Sequence, residues 1–586
     1  MISFLFGGLF ILPVVSLMIQ GITYPFLKLR VKASFLKAYY YFMIMSAFAA
    51  SILLFVFYEQ VTQVDVPGIM VVTWSLQNNV LMFCSLILFS MVGIFTFNYL
   101  HKEIGFHKFH LNFNLFWVGI LVFIWASDPI MMYVGWEFIG ITSIFLISYY
   151  SYRYRPVKSS LYAMVFYKAA DFFLVLALIT LKHAIPSADI KSYAIAGIMI
   201  SALIKAGAFP FTSWLSQAIE GPTQSSAIYY TSLAVNAGII LLLKYSSDIT
   251  VDPKLQMILV VAGILTVFYS SIVGRVQSNA KSSLVYASSV QTGVIFIEIA
   301  FGYNWLAIFH MFSSSFFKAY QFLRAPSYIR LYHSMEGEYG KVFTSNGAHL
   351  ERILPVFLRR FLYKLAYRHF YLDVLFEKFG DAFIAFGRTI RHFFYPVITY
   401  NEKGGYRILN WLVYFMFLII LVDIQVIEIH HSYMKIIPVL LFFTSMMLMT
   451  AATVFQFIAS FVIFKMIEFL FTNTLQVDTS FGIITYIFAS AFVVFVVYFR
   501  FTTIKKGGLA REIYLKSMII TLMLCFANLP FVFMSNEYEH LLEHLYEEQD
   551  YFNLVLYAGA NTIYNIGLFI FIFRYVYLTS KEKKVC

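Results

Sequence analysis

Apolar residues run along this chain in blocks long enough to cross a bilayer, separated by short polar connections. A transmembrane helix needs about 20 predominantly apolar residues. Blocks of that kind lie near 2–20, 39–58, 78–98, 111–127, 129–149, 160–181, 192–209, 224–244, 255–275, 282–302 and 304–323. From Arg324 to Arg407 the pattern changes, and charges recur every few residues. Arg352, Arg359, Arg360, Lys364 and Arg368 fall at near-helical spacing, with Ile353, Phe357, Phe361, Leu365 and Tyr367 on an apolar side. That pattern predicts amphipathic helices lying in the membrane interface rather than crossing it, and Pro355 limits how far back the first one extends. Apolar blocks return at 408–429, 436–471, 480–499, 514–534 and 552–578, with an acidic loop expected from Glu537 to Asp550. The fold class expected is all-α, a polytopic transmembrane helix bundle of about 16 spans. It divides into a core over 1–323, an amphipathic lateral region over 324–407 and C-terminal transmembrane helices over 408–586.

Composition agrees. Of 586 residues, 61% are hydrophobic and only 12% charged, where a soluble domain carries about a quarter charged residues. The 66 Phe and 42 Tyr have two readings: codon bias of an AT-rich, organellar-type genome, or a wide aromatic belt at the membrane interface. The net charge of +12 sits between apolar blocks, as membrane flanks do, and no segment has the form of a nucleic-acid module. Cys84, Cys525 and Cys586 have no metal spacing and suggest no disulfide framework. Met1 to Ile19 lacks a basic leader and is expected to be a first span. No phosphate loop, dinucleotide fingerprint, haem or iron–sulfur pattern is present, so no cofactor is expected in this chain.

The chemistry expected is that of charges buried in apolar blocks. Lys205 lies within Ile198 to Pro210, five residues before the proline, and Gly207 and Pro210 weaken the helix just beyond it. A cation in hydrocarbon costs several kcal/mol without a partner or water, and broken helices at membrane depth are tolerated where they line a cavity or are buried in protein. Glu137 stands about nine residues, or ~13 Å, inside the helix that begins at Asp128-Pro129. It is either a carboxylate facing headgroups or a buried acid opposite Lys205. Lys168 and Asp171, at i and i+3, can pair on one helix face, as a structural ion pair or as a modulator of a neighbouring charge. His310 and Lys318 share a face two turns apart, with Ser313, Ser314 and Ser315 between them, and each could hold or pass a proton. Lys465 and Glu468 form a further i, i+3 pair, and Asp423, Glu428 and His430-His431 read as interfacial. A buried acid, a buried base and an interrupted helix are what a proton pathway needs.

At these residues the chain resembles the antiporter-like membrane subunits of respiratory complex I. Asp128 to Gly140 (DPIMMYVGWEFIG), Lys168 to Asp171, Lys205 to Thr223 (KAGAFPFTSWLSQAIEGPT), Lys281 to Gly293 and His310 to Ala319 (HMFSSSFFKA) carry the likeness, the Lys205 segment most specifically. Tyr367 to Lys378 is similar to the segment before the lateral helix of the chain 5 branch. The resemblance implies proton translocation through Glu137, Lys168, Asp171, Lys205, Tyr230, His310 and Lys318, with Glu137 and Lys205 opening and closing as an ion pair. It also implies a hetero-oligomer with other membrane-arm subunits of complex I, in contact with lipids of the mitochondrial inner membrane. Enzyme activity would belong to the complex, an NADH:ubiquinone reductase. The chain departs from the family at Tyr230, Thr212 and Ser314, where histidines are usual, and the family's Gly-Phe-x-Ser-Lys-Asp motif is missing. Two other readings stay open: a subunit of a cation/proton antiporter or ion-driven bicarbonate-uptake complex, and a degenerate subunit that holds the arm without pumping.

Overall fold

The computed structural model describes residues 33–56, 63–66, 70–73, 75–100, 103, 106–150, 153–183, 188–231, 234–277, 279–340, 355–399, 437–450 and 535–571, with single positions between 457 and 468. The blocks at 2–20, 408–429, 480–499 and 514–534, the pair His430-His431, and Cys525 and Cys586 lie outside the described residues.

Helices account for nearly all of what is described. In chain order they are α1 (Ala33–Val56), α2 (Leu76–Tyr99), α3 (Phe106–Trp125), α4 (Pro129–Ile147), α5 (Tyr154–His183), α6 (Ala188–Ala206), α7 (Thr223–Thr231), α8 (Asn236–Lys244), α9 (Ser246–Val251), α10 (Pro253–Val276), α11 (Ala280–Ala300), α12 (Asn304–Tyr339), α13 (Val356–Tyr367), α14 (Leu372–Thr399), α15 (Ile437–Met449), α16 (Ser535–Glu547) and α17 (Tyr551–Phe571). Six of these are long and apolar enough to cross a membrane among the described residues, and the chain is a multi-pass membrane protein.

Polar residues at the chain turns set where helices start. Asp128 accepts a hydrogen bond from the Met131 N–H and Pro129 opens α4. Asp252 and Pro253 do the same for α10, and Asn279 accepts from the Lys281 N–H at α11. Each cap satisfies one backbone donor that the first helical turn leaves unpaired.

By packing, the chain falls into two units, 1–174 with 192–377, and 175–191 with 378–586. In the first unit α3 lies along α4, α10 along α11 and α11 along α12, while α12 meets α7 and α10 meets α13. Gly119 and Gly135 let α3 and α4 approach so closely that a side-chain carbon at Gly135 would land on the Phe123 backbone. Tyr269, Val273 and Tyr286 form a core with Ala366 and Leu372, which seats α13 and the start of α14 on α10 and α11. In the second unit α17 packs on α15 and on α16, with Met446, Met447 and Ile563 buried around Ile390.

Four expectations change. A two-stranded antiparallel pair, β1 (Gln63–Val66) against β2 (Met70–Thr73), stands among described residues that are otherwise helices and their connections. The block at 224–244 is two helices, α7 and α8, rather than one. The backbone of α12 does not stop at Arg324 but continues to Tyr339, because recurring charge is compatible with an exposed helix as well as with a change of element. The acidic segment before Asp550 is not a loop: it folds as α16, whose Leu541, Leu542 and Leu545 are buried. The amphipathic region folds as α13 and α14, with Phe357 and Phe379 exposed among their basic residues.

Candidate functional site

The site is built on α4, α5 and the end of α6. Glu137, Lys168, Asp171 and Lys205 are all buried, at 3%, 2%, 4% and 1% exposure. The Lys168 ammonium donates to both oxygens of Glu137, at 2.6 and 2.8 Å, and pairs with Asp171 Oδ2 at 3.0 Å. Tyr133, one turn before Glu137, donates its hydroxyl to Glu137 Oε1 at 2.8 Å. The Trp136 indole donates to Asp171 Oδ1 at 2.7 Å. Every carboxylate oxygen of the cluster therefore has a donor, which is the condition for keeping charge in a dry interior.

Lys205 stands beside this triad without joining it. Its Nζ lies 4.5 Å from the centre of the Trp136 ring and 4.2 Å from that of Tyr167, and donates to the Trp136 carbonyl at 3.4 Å. Among the described residues no carboxylate bonds it: of the direct and indirect routes expected from Lys205 to Glu137, the direct one is not made, and Lys168 and Asp171 stand between them with Lys205 in an aromatic cage. Cation–π attraction is strongest where water is excluded. Gly140 makes the space: a side-chain carbon there would stand 2.9 Å from Nζ. Trp136 thus touches both halves of the site, its N–H on Asp171 and its ring and carbonyl on Lys205.

The helix carrying Lys205 ends at the next residue. Gly207 takes φ +63°, in the left-handed region that glycine enters without penalty. Irregular turns follow over 209–217, with a cis Phe209-Pro210 bond, then a short 3-10 turn at Ala218–Glu220 before α7. The expected break is present. Two freed carbonyls of the last turn are paired: Ile204 accepts from the Gly207 N–H at 3.1 Å and from the Trp214 indole at 3.2 Å, and Leu203 accepts from the Ala208 N–H at 2.9 Å. The Lys205 charge sits at the negative end of the α6 dipole.

From the cage, hydroxyls continue toward α7. Tyr167 and Tyr229 are hydrogen-bonded to one another, and the Trp214 ring packs edge-on against both. Sequence reasoning selected Tyr230 at this place. Its side chain lies outside the described residues, while that of Tyr229 reaches Tyr167. Asn236 on α8 donates to Ser315 on α12 at 2.9 Å. Lys244, at the end of α8, donates to the Ala126 carbonyl at 3.2 Å with the Phe123 ring 5.7 Å away, and was missed because it closes an apolar block instead of interrupting one.

His310 and Lys318 form a separate group on α12. His310 bridges α11, with Nδ1 2.8 Å from Glu298 Oε1 and Nε2 2.7 Å from Gln291 Oε1. Glu298 was not singled out from sequence, since it lies near a helix end. Lys318 is half-buried and has no ion-pair partner among the described residues. Ser313, Ser314 and Ser315 donate to backbone carbonyls of their own helix. No hydrogen bond or ion pair joins His310 or Lys318 directly to the Glu137 cluster among the described residues. Nor do three His, Cys, Asp or Glu side chains there converge in a way that could hold a metal ion.

Residues 126–338 match the family described as NADH:quinone oxidoreductase/Mrp antiporter, transmembrane. The matched stretch contains the motifs at Asp128–Gly140, Lys205–Thr223 and His310–Ala319, so the resemblance read from them is borne out. The chain is 26% identical over 341 residues to NADH-ubiquinone oxidoreductase chain 5 of Yarrowia lipolytica, covering 56% of this chain and 49% of that protein. It is 28% identical over 258 residues to the protein of the same name in Cryptococcus neoformans var. grubii, covering 42% of this chain and 39% of the relative. It thus spans about half the length of the first relative and less of the second. Among solved structures it is similar to a chain of the Mrp complex from Dietzia sp., with TM-score 0.48, 14% identity, and 88% of this chain and 75% of that one covered.

Proposed function

We propose that this chain is a proton-translocating, antiporter-like subunit in the membrane arm of a respiratory NADH:quinone oxidoreductase, encoded and housed as a multi-pass protein of the mitochondrial inner membrane. The observation that carries the reading is the buried cluster at the broken helix. Lys168 holds two carboxylates, while a second ammonium, Lys205, waits in an aromatic cage against the same tryptophan. Redox chemistry would reside in other subunits of the complex, and this chain would hold no cofactor.

The cluster has two arrangements of similar chemistry. In one, Lys168 satisfies Glu137 and Asp171 together. In the other, Lys168 keeps Asp171, its i, i+3 neighbour, and Glu137 turns toward Lys205. The proton affinity of an ammonium depends on its distance from a carboxylate, so switching between arrangements loads or unloads Lys205. Tyr167 and Tyr229 then offer hydroxyls leading toward α7, and His310 and Lys318 offer a later station on α12. A charge shift arriving from a neighbouring subunit would drive the exchange.

The test is the proton-to-electron ratio of the complex in sealed vesicles, with assembly followed on native gels. Lys205→Ala is expected to lower the ratio in complexes that still assemble. An assembled variant with an unchanged ratio would favour a subunit that holds the arm without pumping. A second reading, a subunit of a cation/proton antiporter complex, draws on the matched family description, which names both kinds of assembly. Ion exchange without added NADH or quinone would favour it.

A further inference from the structure

The second unit holds a buried ion pair that the Glu137 cluster does not use. Lys465 and Glu468 are 3% and 7% exposed, and the Lys465 ammonium pairs with Glu468 Oε2 at 2.5 Å. The Tyr557 hydroxyl, from α17, donates to the other carboxylate oxygen at 2.9 Å. The ammonium also faces the Tyr564 ring at 5.0 Å and the Phe464 ring at 5.8 Å. A pair that served packing alone would be replaceable by apolar side chains at little cost, so its presence in an apolar unit calls for a use.

What leads to the pair is the face of α17 on which Tyr557 lies. Asp550 caps that helix and binds the Asn553 amide at 2.7 Å. Asn553, Tyr557, Asn561 and Asn565 then follow at intervals of one turn, and all are buried, none more than 5% exposed. Apart from Tyr551, Thr562 and Tyr564 the rest of the helix is apolar. This polar line runs from a half-buried aspartate at the helix start to a point roughly 22 Å along the axis, with Tyr557 about 10 Å in. The Oδ1 atoms of Asn553 and Asn565 are buried without a hydrogen-bond partner among the described residues. Buried acceptors of that kind are costly unless water reaches them. The helix packed against α17, α15, carries no titratable residue. On α16, Glu543 is occupied by Lys182 at 2.6 Å. Among the described residues, Lys465, Tyr557 and Tyr564 face the pair.

We propose that the Lys465–Glu468 pair is a proton-binding site of the C-terminal unit, reached from the aqueous end of α17 along the Asp550–Asn553–Tyr557 part of that line. A proton delivered by water in that line adds to the Glu468 carboxylate and gives the neutral acid. Lys465, released from the ion pair, keeps its charge against the rings of Tyr564 and Phe464. A metal cation is the poorer occupant, because an ammonium already pairs with the carboxylate and no group of three His, Cys, Asp or Glu converges there among the described residues. The proposal does not rest on the reading of the Glu137 cluster.

The test is infrared difference spectroscopy with carbon-13-labelled glutamate, on the full chain within its native membrane complex, after a pH jump. A protonated-carboxyl band that vanishes in Glu468→Gln is expected. Asn553→Leu and Asn553→Ala should keep the band and slow its appearance by about tenfold, the effect of losing one net hydrogen bond along the path. Glu137→Gln, run in parallel, should leave the Glu468 band intact. If Glu468→Gln removes no band, the proposal fails while the reading of Glu137 stands. If Glu468→Gln does not assemble, the two asparagine variants decide, and an unchanged rate in both overturns the path. A band that responds to sodium and not to pH overturns the proton as ligand.

Discussion

Replacing Lys168 by methionine removes one ammonium from between two buried carboxylates. At 2.6 Å the Lys168–Glu137 attraction alone amounts to roughly 6 kcal/mol at an effective dielectric of about 20, before desolvation is subtracted. Asp171 at 3.0 Å adds a contribution of similar size. The net loss on removing one partner of a buried pair is about 3–5 kcal/mol, because the partner charge is left stranded. That is a large share of the 5–15 kcal/mol that holds a domain folded. Glu137→Leu is expected to cost less, since Lys168 keeps Asp171. Combining Glu137→Leu with Lys168→Met should cost less than the sum, by about 0.5–3 kcal/mol, since the double variant leaves one carboxylate, Asp171, for one ammonium, Lys205. The measurement is the thermal unfolding midpoint of the purified complex, with the level of assembled complex as a second readout. Strict additivity of the two substitutions would refute the ion triad as an energetic unit.

Three further outcomes follow from the geometry. Gly207→Ala should destabilise by about 1–2 kcal/mol, because an L-residue resists φ +63° and the Leu215 side chain occupies the space; thermal unfolding reads it. Trp136→Phe should cost about 1.5–3 kcal/mol by leaving Asp171 Oδ1 without its donor, and should lower the proton-to-electron ratio as well as the unfolding midpoint. At the exposed start of α10, hydrogen bonds from the Ser192 hydroxyl and then the Lys254 N–H hold the Asp252 carboxyl below the usual aspartate range. A depressed folded-state value contributes stability above the ordinary aspartate pKa and loses it as pH falls through the depressed one. Ser192→Ala should therefore shift the Asp252 titration upward, followed by carbon-13 NMR of labelled aspartate, and an unmoved titration would count against the contact.

Much of the site was legible because charge is rare in this sequence. Glu137, Lys168, Asp171 and Lys205 stand out against apolar neighbours, and Gly207 and Pro210 announce the break, so composition and spacing were enough to select them. Their pairing was not legible. Glu137 has two lysines to choose from, and only the packing of α4 on its neighbours decides for Lys168. The cage was hidden for the opposite reason: Trp136 and Tyr167 are rings in a chain crowded with rings, and no spacing rule separates a ring under an ammonium from one in a core. Tyr229 was not singled out because a tyrosine beside another tyrosine carries no spacing signal of its own, and a one-residue step turns a helical side chain by about 100°. The acidic stretch before Asp550 misled because its charges mask the leucines that bury α16. The β1–β2 hairpin was overlooked since two four-residue strands are small beside long apolar blocks.

The four charges around Trp136 sum to zero: two carboxylates, two ammoniums. A neutral quartet behaves as a filled seat. An extra proton brings a whole unit of charge into a region where an unmatched ion costs several kcal/mol, so one entering must be answered by one leaving or by a field from elsewhere. Such a quartet stores almost nothing. On the proposed reading it would act as a turnstile, passing polarity from one side to the other while its own tally stays level, with a throughput set by whatever displaces the first charge.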